Sequence, residues 1–317
     1  MTDTTHFVRE DVKAFLAMLE AMNRPGIEEL PLAEGRQGMR VMNQLAEAPP
    51  RDLPVIRDLS CPGPAGEIPL RLYDSRADRD AATPVIVFFH GGGFVIGDLE
   101  VYHSLCTEIC ATLDLPVVSV DYRLAPEAPF PAAPEDCEAA ARWVASNPDD
   151  LPVEPLGMVL AGDSAGGNLT IVVTNQLQSR PAAVPVILHA PLYPLADDIA
   201  SSRSFADFGE GYLLTAPTMA WFSQSYAADA NDKRNMPLVD LSPTMPPAVV
   251  MTAGLDPLRD SGRNYAAHLI RQGTEVTYLE RQGTIHGFAN LRKALPSAQQ
   301  DLAAYLAAIA DMLERLA

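Results

Sequence analysis

The feature that most constrains this chain is an alternation. From residue 85 onward, short continuous apolar runs recur, separated by segments with helical spacing. The runs are Val85–Phe89, Val117–Val120, Met158–Ala161, Val186–Ala190, Ala248–Ala253 and the more mixed Glu275–Glu280. Runs this short suit strands buried on both faces. Between them, Cys137, Ala140, Ala141 and Val144 mark one helix, Leu169–Leu177 a second and Asp260–Gln272 a third. A last helix, from about Ala298, places Leu302, Leu306, Ile309, Leu313 and Leu316 on one stripe. Such a succession builds an α/β fold, with a largely parallel sheet covered by helices on both faces.

The segments before residue 85 follow a different pattern. Val55–Ser60 and Ile68–Tyr73 flank the turn Pro62-Gly63-Pro64-Ala65-Gly66, which predicts an antiparallel pair at the start of the sheet. The expected total is about eight strands. Residues 6–22 carry Val8, Val12, Phe15, Leu16 and Leu19 at helical spacing, ended by Asn23-Arg24-Pro25-Gly26. A second helical pattern with Met39, Met42 and Leu45 ends at Pro49-Pro50. Between Pro191 and about Met245 the pattern is irregular, with one helix near Ala216–Ala227.

Charge and composition exclude several function classes. A net charge of −18 repels polyanions, so nucleic acid is not an expected partner. Hydrophobic residues at 48% and charged residues at 20% are globular values. No run of 18 apolar residues exists to insert into a membrane, and the early acids of MTDTTHFVRE do not resemble a secretory signal. The cytoplasm is therefore the expected location. Cys61, Cys106, Cys110 and Cys137 form no zinc-type set and read as buried thiols.

Two motifs sit where such a sheet would place a site, beyond the carboxyl ends of strands. Gly162-Asp163-Ser164-Ala165-Gly166 lies between a predicted strand and a predicted helix. A sharp turn there exposes a serine hydroxyl, and the flanking glycines remove side chains that would collide. A serine needs a base to become nucleophilic. Of the six histidines, His6, His103, His189 and His268 fall in predicted helices or a buried strand, and His90 belongs to a glycine motif. His286 lies in a loop after the last strand, 122 residues beyond Ser164. Asp256 follows the strand before that and is placed to orient the imidazole. The Asp256-Pro257 pair also suits a helix cap followed by its first residue.

The second motif is His90-Gly91-Gly92-Gly93. Consecutive glycines let backbone N–H groups approach a developing oxyanion. Gly91, Gly92 and Ala165 are the expected donors. The loop lacks the Lys-Ser/Thr ending of a phosphate loop and the spacing of a dinucleotide fingerprint.

With HGGGF at 90–94, DYRLAPEAPFPAAPED at 121–136, GDSAGG at 162–167, DPLRD at 256–260 and HGF at 286–288, the chain resembles the bacterial hormone-sensitive lipase family of esterases, in its GDSAG-type branch. The resemblance covers roughly residues 50–317. It implies an α/β-hydrolase fold and carboxylesterase activity on small-molecule esters with short to medium acyl chains. It implies neither cofactor nor metal, and it is compatible with a homodimer. It also implies a helical cap from residues 1–50 and 196–240, over a core of residues 51–195 and 241–317. His90, Gly93 and Asp163 would then support the loops. Phe94, Tyr193, Phe205, Phe208, Tyr212, Trp221 and Phe222 are the expected pocket aromatics, with Met18, Met22, Met39 and Met42 as flexible walls. Amide or lactone hydrolysis would use the same parts. Related plant hormone receptors lack an intact triad, whereas all three candidates are present here.

Overall fold

The computed structural model describes residues 6–316. The chain opens with two helices, α1 (Glu10–Met22) and α2 (Leu32–Ala46), then the hairpin β1 (Val55–Gly63) and β2 (Gly66–Asp74). The alternating part follows as β3 (Thr83–Phe89), α3 (His103–Leu113), β4 (Val117–Val120), α4 (Ala132–Ala145), β5 (Pro155–Asp163), α5 (Ala165–Ser179) and β6 (Val186–Leu192). Two helices, α6 (Arg203–Phe208) and α7 (Ala216–Tyr226), precede β7 (Ala248–Leu255), α8 (Arg259–Arg271), β8 (Val276–Ile285) and α9 (Pro296–Leu316). The eight strands form one sheet in the order β1-β2-β4-β3-β5-β6-β7-β8. Only the pairings of β2 with β1 and with β4 are antiparallel.

Strand β3 shows how the sheet divides the core. Ile86 and Phe88 face an apolar cluster that includes Leu105 of α3 and Leu302 and Leu306 of α9. Val85, Val87 and Phe89 face a second cluster with Cys137 of α4 and Leu169 and Val173 of α5. Successive strand residues point to opposite faces, so a run apolar at every position can fill both layers. That is why these strands read as continuous apolar runs rather than alternating ones. All four cysteines are free and buried within these layers.

The N-terminal helices are tied to the core by buried polar contacts. The carbonyl of Ala46 accepts the N–H groups of Lys293 and Ala294, each at 2.9 Å. Next to it, Arg292 and Glu47 form an ion pair with both side chains buried. Burial pushes the Glu47 carboxyl upward, and the Arg292 guanidinium offsets part of that. Removing one partner of such a pair typically costs ~3–5 kcal/mol, because the other charge is left stranded. Helix α7 meets the N-terminal unit through Thr218, whose hydroxyl donates to Glu28 at 2.8 Å.

Several predicted boundaries shift. The helix expected from residue 6 begins at Glu10, because the residue before it, Arg9, is extended and its N–H donates to the Gly283 carbonyl at 3.1 Å. His6 therefore precedes α1, with its ring edge-on to Phe208 at 4.7 Å. His189 lies in mid-strand and is buried, with Nε2 2.6 Å from the Tyr265 hydroxyl. Helix α6 has six residues, too few for the apolar period to stand out. Among the described residues, no helix is long and apolar enough to cross a membrane, and no cluster suited to a metal ion occurs.

Candidate active site

Four strands deliver the site from one end of the sheet. His90 is the first residue after β3, Ser164 after β5, Asp256 after β7 and His286 after β8. The parallel register lines up these strand ends. Phe89 pairs with Gly162, and Leu255 pairs with Ile285. Residues far apart in sequence thus emerge side by side beyond the carboxyl edge.

Ser164 sits in the turn between β5 and α5 with φ 56° and ψ −116°. A non-glycine residue in that region costs on the order of 1–3 kcal/mol and needs its surroundings to hold it. The Ser164 N–H is held by the Leu192 carbonyl at 2.9 Å, and α5 starts at the next residue. Its hydroxyl lies 2.8 Å from Nε2 of His286. Nδ1 of His286 lies 2.7 Å from Oδ2 of Asp256. A carboxylate only accepts, so the imidazole proton belongs on Nδ1 and Nε2 is left bare to accept from the serine. Asp256 is fully buried, and its other oxygen accepts the Leu258 N–H at 2.7 Å. Asp256 is not the cap of α8, whose cap position is Leu258.

The glycine loop is held from behind. The Gly91 N–H donates to Oδ1 of Asp163 at 2.8 Å, and the Tyr122 hydroxyl donates to the His90 carbonyl at 2.7 Å. Both ends of the His90–Gly91 peptide are therefore occupied. This corrects the expectation that Gly91 supplies an oxyanion donor, since its N–H is spent on Asp163. The next peptide is different. The Gly91 carbonyl takes a hydrogen bond from Nδ1 of His90 at 2.7 Å. The Gly92 carbonyl takes two, from the N–H groups of Val95 and Ile96 at 3.1 and 3.0 Å. In a trans peptide the C=O and the following N–H point in opposite directions. Fixing the two carbonyls therefore aims the N–H groups of Gly92 and Gly93 the other way. Neither N–H has a partner among the described residues, and Ala165 opens a helix whose first N–H groups have no intrahelical acceptor.

Electrostatics follow from burial. Burial pushes Asp163 up to about 6, while His286, Gly91, Tyr102 and Tyr193 act against that rise. Hydroxyls of Tyr102 and Tyr193 approach its Oδ2 at 3.2 and 3.3 Å. Burial pushes His90 down to about 4, so its ring is neutral at pH 7. The ring stacks on Tyr122 at 4.2 Å.

An apolar cavity of about 330 Å³ opens over Ser164. Of the predicted aromatics, Phe94, Phe205 and Phe222 line it. Tyr193 does not. It is buried beneath the site, its ring 4.8 Å from that of His286. Phe208 is fully buried against Tyr212, and Trp221 packs beside Phe222 on the core side, so none of these three faces the cavity. The four predicted methionines are absent as well. Met18 and Met22 are exposed, and Met39 and Met42 pack on the core. The cavity takes Met219 and Met236 instead, with Leu195, Ile199, Leu214 and Leu258. No sequence period marks these residues, because all but Met219 of α7 come from loops or from the residue before a helix.

Comparison with known proteins gives the family and the fold. A family profile described as alpha/beta hydrolase fold matches residues 86–290. LipN of Mycobacterium tuberculosis, named a carboxylic ester hydrolase, is 42% identical over 74% of this chain and 65% of its own length. The ethyl acetate hydrolase of Pseudomonas putida is 32% identical over 96% of this chain and 98% of its own. Among solved structures, the ester-hydrolase EH1AB1 from the metagenome of Lake Arreo superposes with a TM-score of 0.91 at 35% identity, covering 97% of this chain and 99% of that one. The chain belongs to the α/β-hydrolase family, within its hormone-sensitive-lipase-like esterase branch.

Proposed function

We propose that the protein is a serine carboxylesterase acting on small esters with short acyl chains. The carrying observation is the unbroken relay from Asp256 through His286 to Ser164, at 2.7 and 2.8 Å, on the floor of an apolar cavity. In this reading Oγ of Ser164 attacks the ester carbonyl carbon while its proton passes to Nε2 of His286. The carbonyl oxygen becomes an oxyanion that the N–H groups of Gly92, Gly93 and Ala165 receive. Each such donor is worth ~2.7–4 kcal/mol in the transition state. Asp256 stabilises the imidazolium. The C–O bond to the alcohol breaks as His286 returns the proton to the leaving oxygen. A water molecule, deprotonated by the same imidazole, then attacks the acyl-enzyme and releases the acid and Ser164.

Cavity size and lining support the substrate class. About 330 Å³ is at the small end of ligand pockets, and the wall is mostly aliphatic and aromatic. Residues 1–50 and 196–240 act as the cap in this proposal, with α6, α7 and their loops supplying most of the wall. The names of the relatives, LipN and the ethyl acetate hydrolase among them, point to the same chemistry. The test is a substrate profile with acetyl to dodecanoyl esters and one amide of matched acyl length. The expected result is a maximum among the shortest chains and little amide cleavage. Equal rates on the amide, or a maximum at dodecanoyl, would overturn the assignment.

A further inference from the structure

We propose that Arg36, on the N-terminal helix α2, is a positioning residue that aims the oxyanion donor Gly93 through two consecutive peptide planes. The inference rests on the esterase reading above and deepens it. Nε of Arg36 donates to the Val95 carbonyl at 2.9 Å. The N–H on the other side of that same peptide, Ile96 N–H, donates to the Gly92 carbonyl at 3.0 Å. The N–H on the other side of the Gly92 carbonyl is that of Gly93. Peptide planarity makes each plane a lever: a carbonyl fixed on one side orients the N–H on the other. A guanidinium outside the site thus ends, two peptides later, at the donor itself.

The surrounding contacts show why the loop needs such a hold. Phe94, which follows Gly93, has φ 64°, a left-handed conformation that side chains other than glycine rarely adopt. Such a residue persists only when its neighbours over-determine it. Here Ala125 N–H donates to the Phe94 carbonyl at 2.9 Å, and the Phe94 ring stacks on Tyr226 at 3.9 Å. Arg36 joins both sides of this arrangement. Its Nη2 donates to the Ala125 carbonyl at 3.1 Å, and its fork grips Glu127 at 2.7 and 2.8 Å. The planar fork makes four hydrogen bonds to three residues on two loops, one more than a lysine ammonium has donors for. No motif in the sequence marks Arg36.

The experiment compares wild type with Arg36→Met, Arg36→Lys and Arg40→Met. Arg40 is the comparison because it makes an exposed ion pair from the same helix to the Asp98 side chain and bonds to neither peptide of the relay. Each variant is assayed for kcat and KM on a butyryl ester. Each is also titrated with an alkyl boronic acid, whose serine adduct places an oxygen in the oxyanion position, and with butyramide as a neutral ground-state ligand. For Arg36→Met the expected kcat loss is about 10- to 100-fold, the range for a misplaced catalytic group, with KM changed less than about threefold. Boronate affinity should fall by the same factor as kcat, and butyramide affinity should hold. Arg36→Lys should recover part of the loss, and Arg40→Met should match wild type. If Arg36→Met does not fold, Arg36→Lys carries the test with a smaller, still boronate-selective loss. A kcat within twofold of wild type, or equal losses for both ligands, would overturn the proposal. Wild type inert toward esters would instead sink the esterase reading, leaving Arg36 irrelevant.

Discussion

Replacing Asp256 by asparagine should abolish nearly all activity while leaving the fold intact, and the reason is a conflict over which atom faces which neighbour. Both carboxylate oxygens are in use: Oδ2 faces Nδ1 of His286 at 2.7 Å, and Oδ1 faces the Leu258 N–H at 2.7 Å. Asparagine offers one acceptor and one donor. With its oxygen kept on Leu258, its amide donates to Nδ1, and the imidazole proton moves to Nε2. The ring then donates to Ser164 and can no longer take its proton. The flipped amide restores the tautomer but sets two donors against each other at Leu258. Leaving a buried donor unpaired costs ~1–3 kcal/mol, so the competent state is populated at roughly 1 part in 5 to 1 part in 150. The imidazolium also loses its counter-charge. Together these predict a kcat on the order of 10³- to 10⁴-fold below wild type, the size seen when a triad carboxylate becomes an amide. The assay is steady-state hydrolysis of p-nitrophenyl butyrate, with thermal midpoints measured in parallel. A kcat within about tenfold of wild type, with a normal midpoint, would refute the tautomer argument.

Phe222→Ala removes a ring that lines the cavity and lies against Gly93. The ratio of kcat/KM for an octanoyl over a butyryl ester should rise at least about tenfold, since each methylene accommodated is worth ~1–3 kcal/mol. An unchanged ratio would place the acyl chain elsewhere. Asp163→Asn tests the buried carboxyl through stability. Burial raises its folded-state value from 3.8 to about 6, so the folded wild type holds the proton more tightly than the unfolded chain does. This contribution favours the fold below about pH 4 and is lost as pH climbs through about 6. The asparagine variant lacks that loss, so its stability relative to wild type should rise between those pH values, by roughly 3 kcal/mol at most. Urea midpoints at pH 4.5 and pH 7 measure it, and an equal difference at both pH values would contradict the assignment.

The sheet was legible because its strands are buried on both faces, and a run such as Val85–Phe89 has few other uses. The triad candidates were legible because each follows a strand directly, and motif context locates strand ends well. The apolar pattern predicts strand β8 only as far as Glu280, five residues short of its end at Ile285, since Arg281, Gln282 and Gly283 break that pattern on an edge strand that needs none. Three adjacent glycines cannot be told apart in sequence. Which N–H is free is decided by Asp163, 72 residues away, together with carbonyl partners within the loop. The pocket was the least legible part. Tyr193 and Phe208 are aromatic and close to the site, yet they face the core, and facing is settled by packing that no local pattern records. Arg36 carries no signal at all, because its meaning lies in acceptors on two distant loops.

The central claim is that Ser164 is made nucleophilic by His286, and covalent labelling tests it most directly. A fluorophosphonate probe is added to the native protein, and the modified peptide is mapped by mass spectrometry. One adduct on Ser164 is expected, forming at least about a thousandfold more slowly when His286 is replaced by alanine. Labelling at another residue, or an undiminished rate in His286→Ala, would contradict the account.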